Sequence, residues 1–112
     1  MTDEAFEQVV RDTIQSLPKE FLQQLDNVEI VIEDVPPPHL PLLGLYQGVP
    51  KTRRLSYSSL PDKITIYKQP LLRMSENDEE AKENIKNTVL HEIGHHFGLS
   101  DEELYRIKSK RN

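Results

Sequence analysis

The sequence predicts a compact α+β fold: N-terminal helices, a small mixed β-sheet, a long helix rich in histidine, and a short C-terminal helix. Three observations carry that prediction. Apolar residues recur at helical spacing towards both ends of the chain, and two β-branched runs, VEIVIE and KITIY, lie between them. The length, 112 residues, suffices for one core and not two, so one domain is expected over residues 1–112.

The elements follow in order. In residues 3–16, Phe6, Val9, Val10, Ile14 and Leu17 fall at helical spacings, with Asp3 as the expected cap. Pro18 ends that helix and suits the first turn of a second, over residues 19–25. Val28, Ile30, Val31 and Ile32 read as a strand. Pro36, Pro37, Pro38 and Pro41 then remove backbone donors and fix φ, so the chain must leave regular structure. A short strand fits between Gly44 and Gly48, and residues 51–59 read as a polar loop. After a turn at Leu60-Pro61-Asp62, residues 63–67 alternate as a strand that Pro70 ends, with an irregular stretch expected from Leu71. An acidic start at residues 75–80 opens a helix running to Phe97. Gly98 stops it, and Ser100 or Asp101 can cap a last helix through Lys108.

Composition excludes several classes. The formal charge is −5 and the basic residues are scattered, so no nucleic-acid-binding stripe forms. There are no cysteines, which removes disulfides, thiolate metal sites and a cysteine nucleophile together. No apolar run has the length of a membrane span, and the acidic start MTDEAFEQVV lacks the order of a signal peptide. A cytoplasmic location is the expectation, with no membrane partner.

The densest chemistry lies in HEIGHHFGLSD, residues 91–101. Ile85, Val89, Ile93 and Phe97 form one buried stripe of its helix, with Leu90 beside them. His91 and His95, four residues apart, share the nearly opposite face and can direct two imidazoles at one cation. His96 is turned about 100° away and does not easily join them. Glu92 can reach a water on such an ion without ligating it. Beyond the Gly98 turn, Asp101 stands at H-E-x-x-H-x-x-G-x-x-D spacing to supply a third, oxygen ligand. Glu102 or Glu103 could take that place, leaving Asp101 as a helix cap. Three protein ligands and an open fourth position describe a catalytic zinc site, with one Zn²⁺ per chain.

With those residues the sequence resembles the zincin metallopeptidases, and its glycine turn is similar to the extended motif of the metzincins. More closely, it resembles a family of short bacterial zincin-like metallopeptidases, through LLGLYQGVP (residues 42–50), LPDKITI (residues 60–66) and residues 91–104. The resemblance favours Asp101 as third ligand and implies a zincin-like fold and hydrolysis of peptide bonds. Unlike metzincins, the chain has no methionine after the motif: Met1 and Met74 both precede it.

In that mechanism zinc on His91, His95 and Asp101 lowers the pKa of its water, and Glu92 acts as general base. An anionic third ligand predicts a somewhat higher water pKa than three imidazoles would give. Tyr46, Tyr57, Tyr67 and His39 are the nominees for stabilising the oxyanion. By the same resemblance, the strand at residues 64–67 is the one beside which an extended peptide substrate would lie. The competing reading is a non-catalytic metal-binding or partner-binding module on the same scaffold. Its only sequence support is the P-x-x-P spacing of Pro38-His39-Leu40-Pro41. The residues fix neither the substrate nor the oligomeric state.

Overall fold

A computed structural model describes residues 1–25, 27–48 and 61–99. Helix α1 spans Asp3–Gln15, and a four-residue helix α2 spans Lys19–Leu22. Strands β1 (Val28–Glu33), β2 (Gly44–Gln47) and β3 (Asp62–Tyr67) follow. Helix α3 (Lys68–Arg73) leads to the long α4 (Asp78–His96). The predicted loop at residues 51–59 and the predicted last helix lie outside the described residues.

The strands form one mixed sheet in the order β1-β3-β2. β1 runs parallel to β3 from Val28↔Asp62 to Glu33↔Tyr67, and β2 runs antiparallel to it from Gly44↔Ile66 to Gln47↔Lys63. β3 is therefore the central strand. Its sequence alternates, yet five of its six residues are buried, because a central strand has no open edge and is covered on its faces. α4 packs on β2 and β3, and α1 and α3 pack on α4. The core gathers Phe6 and Val10 of α1, Ile64 and Ile66 of β3, Leu71 of α3, and Ile85, Val89 and Ile93 of α4.

Three local expectations need correction. Thr2, not Asp3, caps α1: its Oγ1 accepts from the Ala5 N–H at 3.0 Å, and Asp3 sits in the first turn instead. α2 closes at Leu22 rather than residue 25, and none of its residues is buried to extend it. The stretch after β3 is helical, and Pro70 lies inside it. As the third residue of α3, Pro70 stands where an N–H has no intrahelical acceptor, so the missing donor costs nothing.

α4 begins as its sequence requires. The Asn77 side chain accepts from the Glu80 N–H at 2.8 Å, and Asp78, Glu79 and Glu80 meet the positive end of the helix dipole. It ends in a Schellman motif: Leu99 N–H donates to the Gly94 carbonyl and Gly98 N–H to that of His95, each at 2.9 Å, with Gly98 at φ +82°. No described helix is long and apolar enough to cross a membrane.

Candidate metal centre

The last two turns of α4 carry His91, Glu92, His95 and His96. His91 and His95 share a helix face, with ring centroids 4.7 Å apart and planes at 84°. Both rings are half-buried. His91 and Glu92 line a groove of about 350 Å³, walled on its other side by Pro41, Leu42, Leu43 and Gly44.

The sequence places this histidine face opposite the apolar stripe. The structure covers part of that side as well: Thr88 and Glu92 are buried, Glu92 being only 8% exposed. Gly44 makes the approach possible. A Cβ there would stand 2.9 Å from Thr88 Cγ2, 3.1 Å from Glu92 Cγ and 3.3 Å from the Thr65 carbonyl oxygen. β2 thus packs directly on the Thr88 and Glu92 side chains and shields the Glu92 stem, while the groove gives the site its opening.

Among the described residues, no three His, Cys, Asp or Glu side chains converge on one point. Asp101, Glu102 and Glu103 lie outside the described residues, so the choice of third ligand does too. The two imidazoles themselves suit a zinc ion. They are nitrogen donors on one helix face, four residues apart, on a helix anchored in the core by Ile85, Val89 and Ile93.

A second set of polar residues lies behind the helix. Asp62 and His96 are each 1% exposed. Asp62 Oδ2 accepts hydrogen bonds from His96 Nδ1–H at 2.7 Å and from the Tyr46 hydroxyl at 2.6 Å. Facing a carboxylate oxygen that already accepts from tyrosine, the His96 ring carries its proton on Nδ1. Gly48, at φ +147°, makes room: a Cβ there would fall 2.3 Å from Asp62 Oδ1. Sequence reasoning sees His96 only as unable to join the other two histidines. It misses Asp62, read as a turn residue, and Gly48, read as a strand boundary. The one signal was an acid directly preceding a β-branched strand, which gives no direction for its side chain.

The nominees for oxyanion stabilisation separate. The Tyr46 hydroxyl is committed to Asp62. Tyr67 is buried in β3, His39 is exposed in a turn where Leu40 N–H meets the Pro37 carbonyl, and Tyr57 lies outside the described residues. The expectation that a substrate lies beside residues 64–67 is overturned: β3 pairs with β1 on one edge and β2 on the other, so it has no backbone groups to offer.

Comparison with known proteins bears on this arrangement. A family model described as zincin-like metallopeptidase matches residues 25–111. A solved structure of a conserved hypothetical protein from Thermo thermophilus is similar at 26% identity and a TM-score of 0.61, over 87% of this chain and 94% of that one. No curated protein matches.

Proposed function

The chain belongs to the zincin-like metallopeptidase family, and on that premise we propose that it is a zinc-dependent peptidase with its centre at the end of α4. The observation that carries this reading is the pairing of His91 and His95 across 4.7 Å, with Glu92 shielded between them and the edge strand. His91 and His95 would hold the ion, with Asp101 as third ligand. Bound there, zinc supplies the Lewis acidity that activates water and polarises a carbonyl.

Glu92 is the proposed general base. Its carboxylate takes a proton from the attacking water and delivers it to the leaving amine. Burial of its stem against Gly44 limits its rotamers, so the proton acceptor is pre-positioned. Substrate alignment falls to β2 instead of β3. Among the described residues β2 pairs on one side only, and its neighbouring segment walls the groove that His91 and Glu92 line. An extended peptide would hydrogen-bond to that edge and present its scissile bond to the groove.

The deciding experiment is elemental analysis of the purified wild type beside His91→Ala/His95→Ala, followed by peptide hydrolysis with Glu92→Gln as control. One zinc per wild-type chain, none in the double variant, and hydrolysis lost in a Glu92→Gln protein that keeps its zinc would support the reading. No zinc after purification, and none taken up on addition, would overturn it. Zinc bound tightly with no hydrolysis of any peptide would leave a non-catalytic metal module.

A further inference from the structure

The geometry points to Tyr46, Asp62 and His96 as a positioning network that fixes the rotation of the last turn of α4 and so aims His95 at the metal. The inference rests on the metal-binding reading above and concerns residues outside the ligand set.

The network spans three elements. Tyr46 comes from the edge strand β2, Asp62 opens the central strand β3, and His96 closes α4. Both hydrogen bonds converge on one oxygen, Asp62 Oδ2, at 2.6 and 2.7 Å. The Tyr46 and His96 rings also meet edge to face, with centroids 6.1 Å apart. Beside their apolar packing, helix and sheet are thus joined by directional bonds that meet at one atom.

Its energetics argue against a purely cohesive role. Removing a carboxylate from water is costly, and an apolar trio of similar volume would hold the helix to the sheet at least as well. What an apolar contact lacks is direction. Leucine against leucine tolerates rotation of the helix about its axis, whereas a short, charge-assisted hydrogen bond does not.

Direction matters here because His95 and His96 are neighbours on one turn. Fixing the azimuth of one fixes the other, about 100° away. A side-chain tip lies about 5–6 Å from the helix axis, so a rotation of about 10° displaces it by about 1 Å. Zinc–nitrogen distances tolerate only about 0.2 Å. The core contacts of Val89 and Ile93 hold the apolar face of the last turns of α4, but such contacts are not directional, so the azimuth needs a directional anchor. Asp62 supplies it, and Gly48 is the backbone position that leaves space for that carboxylate.

The test compares wild type, His96→Phe, His96→Asn and Tyr46→Phe. Zinc affinity is measured by competition with a chelator, Co²⁺ coordination by visible absorption, and the unfolding midpoint on the metal-free proteins. His96→Phe keeps the ring and loses the donor, and should weaken zinc binding about 10-fold with an altered Co²⁺ band. His96→Asn places an amide donor near the former Nδ1 and should recover much of the loss. Tyr46→Phe should shift both readouts in the same direction by less. Wild-type affinity and an unchanged Co²⁺ band in both phenylalanine variants would overturn the inference, however far their unfolding midpoints fall. If His96→Phe does not fold, Tyr46→Phe decides alone by the same criterion. A wild type that binds no zinc overturns the metal reading itself and this inference with it, an outcome that the wild-type titration separates from the first.

Discussion

Two glycines meet different constraints at the residue scale. Gly48 sits at φ +147°, where a side chain is strained, and a Cβ would also overlap Asp62 at its Cγ and Oδ1. Gly48→Ala should therefore lose at least about 2 kcal/mol of stability, read as a lower urea midpoint with unchanged slope. Gly44 has ordinary backbone angles, and its constraint is the closeness of Thr88 and Glu92. Gly44→Ala should cost about 1–3 kcal/mol through overpacking. Because the nearest atoms include the Glu92 stem, hydrolysis should fall further than zinc content does. Equal losses of activity and folded protein would mean that Gly44 serves packing alone.

At the scale of the element, α4 concentrates the chemistry, and its ends are set by few residues. Asn77→Ala removes the side chain that accepts from Glu80 N–H and should cost about 1 kcal/mol, with no change in zinc affinity, since the cap is many turns from the histidines. Gly98→Ala places a Cβ at φ +82° and should cost about 1–2 kcal/mol. It should also weaken zinc binding, because the proposed third ligand, Asp101, follows this glycine by three residues in the sequence. Chelator competition on the two variants separates these effects. The helix was legible because capping, charge and apolar period agree along it. Helix α3 was not. Pro70 reads as a stop signal unless the helix start is already known, and that start, at Lys68, carries no side-chain cap.

The whole molecule couples folding to the site. Phe6 on α1 is fully buried against the core that α4 shares with β3. Phe6→Ala should cost about 3–5 kcal/mol, a large share of the roughly 5–15 kcal/mol expected for a domain of this kind. An ion that binds only the folded chain adds to that stability. At free zinc about 100-fold above its Kd the gain is about 2.7 kcal/mol. The urea midpoint should accordingly rise with zinc, return on chelation, and stay fixed in His91→Ala/His95→Ala. A midpoint insensitive to zinc in the wild type would count against a site formed on folding.

The sequence by itself determined the α+β class, the strands at Val28–Glu33 and Gly44–Gln47, most of β3, and the helix that sets His91, Glu92 and His95 within one another's reach. These follow from period, propensity and spacing, which act between residues close in the chain. Tertiary structure decided the rest. Strand order made β3 central and left β1 and β2 as the outer strands among the described residues. Packing of β2 on α4 buried Glu92, and the fold brought Asp62 to His96 across 34 positions. Such contacts depend on which faces meet, and an acid or a histidine has the same local signature whether it ends in water or against a partner from another strand.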